Sequence, residues 1–142
     1  MSVFNSVRVI LDTNVWVSFL IGKRLLFLKE LIASEQVLLV FSEELLQELK
    51  LVTERPKLRR YFPEERVQEL FALLRLVGKV YSVSSSNKVS RDEKDNFLLD
   101  LAEAAHADYL VTGDKDLLVL DSFKGTKILT PADFEQVMVS VK

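Results

Sequence analysis

Five short apolar runs recur along the chain, with segments of helical spacing between them. The runs are VRVIL (7–11), VLLVF (37–41), KVYSV (79–83), YLVT (109–112) and KILT (127–130). Continuous apolar runs of this length, rich in β-branched residues, are the signature of strands covered on both faces. Consecutive strands separated by ten or more helical residues must cross over and pair in parallel. The pattern therefore predicts an α/β protein of three layers, α/β/α, around a central parallel sheet of about five strands. No internal repeat is visible, and residues 1–142 are expected to form a single domain.

The intervening segments carry their own boundaries. Residues 13–34 are helical with a break near Gly22. Ser42, followed by Glu43 and Glu44, starts a helix that places Leu45, Leu46, Leu49 and Val52 on one side. Pro56 ends it or shortly follows its end. Pro63 opens a helix with Val67, Leu70, Phe71, Leu74 and Val77 at helical spacing, and Gly78 closes it. SSSNKVS (84–90) is a loop. A helix follows from Asp95 to His106, then a turn of helix in DLLVLD and a last helix with Pro131 near its start. His106 is expected to end its helix, and Trp16 and Phe19, three apart, to enter the core or a subunit interface.

Composition excludes several chemistries. There is no cysteine and one histidine, which removes thiol nucleophiles, zinc-thiolate sites, disulfide scaffolds and three-histidine metal sites. With 49% apolar and 28% charged residues, the chain can bury a core without a metal or a cross-link. The opening MSVFNSVRVILD is not a signal peptide, and no apolar run approaches a membrane span, so a cytoplasmic location is expected. The net charge of −2 hides a polarity: residues 1–90 hold 13 basic and 10 acidic groups, and residues 91–142 hold 6 and 11.

Parallel α/β sheets bind ligands beyond the carboxyl ends of their strands, and the residues expected there are acids. Asp12, the only aspartate among the first 91 residues, follows the first strand directly. Asp114 follows the fourth across a tight TGD turn. Asp92 and Asp95 precede the helix after the third, and Glu48 lies on the helix after the second. Converging carboxylates repel one another, and a divalent cation is the usual remedy. Oxygen-only ligands suit Mg²⁺ or Mn²⁺. Such ions polarise phosphoryl oxygens and acidify bound water, so the residues point to metal-assisted phosphodiester hydrolysis.

ILDTNVWVSFL, SEELLQELKLVTERPK and DEKDNFLLDLAEAAHADYLVTGDKDLL, in that order, resemble the successive motifs of the PIN domain family. Within it they are similar to the toxin components of prokaryotic toxin–antitoxin systems. The resemblance covers about residues 7–135. It implies a central parallel sheet and a metal-dependent ribonuclease acting on single-stranded RNA. It assigns catalysis and metal ligation to Asp12, Glu48, Asp95 and Asp114, with Asp92 a rival to Asp95 for the third acid. Asn14, Ser18 and Thr112 match polar pocket positions, and Asp116 matches an occasional additional acid. It also implies an antitoxin protein as partner.

The competing readings are concrete. Each acid also has a structural role to offer, as a helix cap or a solvated helix residue, and Glu48 could orient water instead of touching metal. Arg55, Lys57, Arg59 and Arg60 are either a solvated face or a contact to the RNA backbone. The apolar helices at 24–34 and 64–77 serve core packing, a homodimer or an antitoxin. A non-catalytic PIN-like module that holds RNA or a partner is the alternative function. An aspartyl-phosphate enzyme is disfavoured, because Asn14 stands where a second acid is needed.

Overall fold

A computed structural model describes residues 6–22, 25–83 and 92–141. The chain runs β1 (Val7–Leu11), α1 (Thr13–Ile21), α2 (Leu25–Ala33), β2 (Val37–Ser42), α3 (Glu43–Thr53), α4 (Pro56–Arg59), α5 (Glu64–Val77) and β3 (Lys79–Tyr81). It continues with α6 (Glu93–Ala105), β4 (Tyr109–Val111), α7 (Lys115–Leu118), β5 (Ser122–Phe123), β6 (Thr126–Leu129) and α8 (Pro131–Val141). The strands form one sheet in the order β3-β2-β1-β4-β6-β5. All neighbours pair in parallel except β5 and β6, which are antiparallel. The fold is thus α/β with a mostly parallel central sheet, as the alternation of runs predicts.

Connectivity positions the layers. The steps from β1 to β2 to β3 move one way along the sheet, and those from β3 to β4 to β6 move the other way. With right-handed crossovers, α1–α5 cover one face, and α6 and α7 cover the opposite one. The direction reverses between β1 and β4, and the carboxyl ends of those two strands therefore open onto a crevice between layers. Val9, Ile10 and Leu11 of β1 are fully buried, as a central strand covered on both faces requires. Arg8, the one charge in that run, sits at the opposite end of the strand. Its guanidinium donates to the Ala105 carbonyl at 2.8 Å and the Tyr81 hydroxyl at 3.2 Å. This partners a carbonyl at the end of α6, where a cation is favoured.

Trp16 and Phe19 of α1 are core residues; Trp16 stacks on Phe41 at 5.9 Å. They are unavailable for a subunit interface or for stacking on a base. His106 caps α6 in a left-handed conformation, at φ 50° and ψ 50°.

Several boundaries differ from expectation, for local reasons. The sheet has six strands, because Ser122–Phe123 returns against β6 through Lys124 and Gly125, both at positive φ. That is the two-residue turn whose twist matches a hairpin. The third strand stops at Tyr81, two residues short of Val83, and the fourth at Val111. The fifth expected strand is β6, one residue earlier at both ends. α3 stops at Thr53, so Pro56 shortly follows its end as expected, and it also begins the short α4 in its first turn. α6 starts at Glu93 and not at Asp95, because the Asp92 side chain accepts from the Lys94 amide and caps it. Residues 84–90 and the first residue of the expected 24–34 helix lie outside the described residues. Among the described residues, no helix is long and apolar enough to cross a membrane.

Candidate active site

Asp12 leaves β1 at the point where the strand order reverses. Its backbone N–H donates to the Val111 carbonyl at 3.0 Å, so the sheet ladder carries one step beyond the strand and fixes its position. The side chain does not cap α1. It accepts from the Thr112 hydroxyl at 2.8 Å and from the Thr13 amide. Thr112, fully buried at the end of β4, also accepts the Asp114 amide at 3.0 Å. One hydroxyl thus spaces the acids that follow the two central strands. Asp114 in turn caps α7, accepting from the Asp116 amide at 2.9 Å.

The helices bring in the remaining acids from opposite sides. Asp95, in the first turn of α6, is buried to 3% exposure, with its amide donating to the Asp92 carbonyl at 3.1 Å. Single carboxylate oxygens of Asp92, Asp95 and Asp114 lie within 4.8 Å of one another. Asp92 and Asp95 are therefore not exclusive choices for the third acid, because both converge on Asp114. Glu48, the sixth residue of α3, lines the same cleft half-buried. Lys94 from α6 stands 3.7 Å from Glu48, an exposed pair of small energetic weight. The cleft has a volume of about 620 Å³ and contains Asp12, Glu48, Asp92, Asp95 and Asp114.

Burial pushes the Asp12 carboxyl above the usual aspartate range, and the charges of Glu48 and Asp114 push it the same way; the bonds from Thr112 and Thr13 oppose this. The sign follows directly. The folded state disfavours ionised Asp12, whereas the unfolded chain ionises it near 3.8. Without metal, the fold therefore loses stability as pH rises from that value through the raised one. Asp12→Asn keeps an acceptor for Thr112 and removes the charge. Its Tm without metal is expected to exceed that of the wild type at pH 7. Thermal melts should show the gap closing at pH 3 and narrowing at pH 7 when Mg²⁺ is added. An Asn variant that melts below the wild type at pH 7 without metal would contradict this account.

The residues present fit a hard divalent cation. The donors are oxygens, three of them already close together, and the Thr13 hydroxyl oxygen at the cleft is buried with no hydrogen-bond partner. Such a set, lining an open cleft, can bind a phosphate ester through a cation and cannot supply a thiol or imidazole nucleophile.

Other expected residues are placed variously. Asn14 lines the cleft, exposed. Thr112 acts from behind, through Asp12 and Asp114. Ser18 and Asp116 are exposed and are not among the cleft residues. The basic run divides: Arg55 lines the cleft, Lys57 and Arg60 line a separate depression with Pro56 and Tyr61, and Arg59 lines neither. Sequence reasoning missed Lys94, Phe97 and Leu51 as cleft residues. The stripe Glu44, Glu48, Leu51 and Arg55, at steps of four, three and four, could have found the last of these.

The PIN domain profile matches residues 8–116. An uncharacterized protein of Methanocaldococcus jannaschii is 34% identical over 130 residues, covering 86% of this chain and 81% of that protein. No solved structure gives a significant match.

Proposed function

The chain belongs to the PIN domain family, whose members are typically nucleases that use divalent metals, and we propose that it is an Mg²⁺- or Mn²⁺-dependent endoribonuclease acting on single-stranded RNA. The observation that carries the reading is the convergence of Asp92, Asp95 and Asp114 on one point of a cleft shared with Asp12 and Glu48. In this reading Asp95, Asp114, Asp12 and Asp92 hold the cation. When bound, it would polarise the scissile phosphoryl group and supply an acidified water.

The protein's own groups do the rest. The Thr112 hydroxyl holds the Asp12 carboxylate in place while its oxygen anchors the Asp114 backbone. In this reading Glu48, half-buried and only weakly paired, accepts a proton from water. Arg55 offers a cation to the backbone beside the scissile phosphate. As the toxin of a toxin–antitoxin pair, the protein would be held inactive by a small partner. The exposed Leu26 of α2 and Leu73 and Leu76 of α5 provide apolar surface for that partner or for a second copy.

Purified protein is expected to cleave single-stranded RNA in Mg²⁺ or Mn²⁺, to spare duplex RNA, and to lose all cleavage in EDTA. Restoring the metal should restore it. Binding of diverse RNAs without turnover in either metal would identify a non-catalytic RNA-binding module instead.

A further inference from the structure

The mouth of the acidic cleft carries two large apolar side chains that packing does not explain. Phe97 of α6 is 40% exposed and Leu51 of α3 is 61% exposed, and both line the cleft that holds the acids. Phe97 lies two residues beyond Asp95, which is buried at the cleft floor. Along the α3 face the chemistry changes in order. Glu48 gives way to Leu51 after ~4.5 Å of helical rise, and Arg55, two residues past the end of α3, follows in the lining of the same cleft.

We propose that Phe97 seats an unpaired nucleobase of the substrate, opposite Leu51, with Arg55 taking the phosphate next to the one held by the acids. This deepens the ribonuclease reading and rests on it. A strand whose phosphate approaches the acid cluster brings a neighbouring base to the cleft mouth. An exposed phenyl ring offers that base a face to stack on, whatever the base's identity. A base held in a duplex is not free to enter, so the seat selects single strands. Arg55 fits the same path, because the carboxylates repel phosphate wherever no cation intervenes. The site is thus expected to read strandedness more than sequence.

The test separates binding from cleavage. A labelled 12-nucleotide RNA is titrated with the full chain in Ca²⁺, and its integrity is checked on a gel. Phe97→Ala is expected to weaken binding about 10-fold, Phe97→Leu less, and Phe97→Trp not at all. The new indole of Phe97→Trp should be quenched as RNA binds, above a constant signal from Trp16, which is only 1% exposed. An abasic strand of equal length should bind wild type and Phe97→Ala alike.

Equal binding of the RNA by wild type and Phe97→Ala overturns the proposal. So does an equal loss on the abasic strand, which would mark a fold or phosphate effect. Quenching by a protein partner and by no oligonucleotide also overturns it. Wild type that binds and stacks RNA but never cuts it in Mg²⁺ or Mn²⁺ overturns the nuclease reading and leaves the base seat standing. Wild type that cuts RNA with KM unchanged by Phe97→Ala overturns the base seat alone. Circular dichroism of each variant identifies loss of fold, and the tryptophan variant then decides.

Discussion

Asp95→Asn is expected to lower the rate of RNA cleavage by at least about 10²–10³-fold, the scale of removing one preorganised polar group from an active site. The residue is buried, and its backbone is fixed in the first turn of α6. The amide therefore keeps the volume and the helix and loses the charge. Mn²⁺ binding measured by calorimetry should weaken in parallel. Thermal stability without metal should not fall, because Asp92 and Asp114 crowd this carboxylate and its removal relieves repulsion. That combination separates loss of chemistry from loss of fold. Asp116→Asn, exposed and away from the cleft, serves as the control and is expected to cut at the wild-type rate. Full cleavage by the Asp95 variant with unchanged Mn²⁺ affinity would remove Asp95 from the site.

The largest expected effect on stability comes from α1, the helix that follows the first strand. Trp16→Ala should cost ~3–5 kcal/mol, the range for truncating a large buried aromatic. Trp16 is among the largest fully buried side chains and stacks on Phe41 beside the α3 cap at Ser42. Against a total of about 5–15 kcal/mol, the loss removes a large fraction of the stability. Urea unfolding should show a lower midpoint with unchanged slope. Trp16→Phe should cost far less, since the indole Nε1–H is buried without a hydrogen-bond partner and its removal takes away an unsatisfied donor. The Trp16 amide donates to the Asp12 carbonyl at 3.0 Å, a backbone bond that both variants retain. A midpoint within 1 M urea of the wild type, at a slope of about 1–3 kcal/mol/M, would place Trp16 outside the cooperative core.

The architecture was readable because hydrophobic burial leaves periodic traces. VRVIL and VLLVF are covered on both faces and cannot hide among polar residues. The β5 strand was not readable, because two residues hold no period; only the Lys124–Gly125 pair signals the hairpin that makes them a strand. Asp12 was legible from its isolation at the end of an apolar run. The choice between Asp92 and Asp95 was not, because it turns on a cap. When Asp92 caps α6, both carboxylates swing toward Asp114, and the spacing DEKD alone does not specify that. Phe97 was lost for a related reason. A phenylalanine on a helix is ordinarily core, and only the placement of α6 over the strand ends leaves this one at the mouth.

The hydrogen bond from Thr112 to Asp12 joins residues 100 apart in the chain. Asp12 leads into the site from the first strand, and its neighbour in the sheet, β4, follows about a hundred residues later. A nascent chain extended to residue 108 already contains Asp12, Glu48, Asp92 and Asp95, yet it lacks the strand that fixes Asp12 and the aspartate that completes the cluster. Folding that depends on so distant a pairing closes late. Under the nuclease reading, a nascent chain that has not yet released residues 109–114 holds four of the acids without the arrangement that cuts.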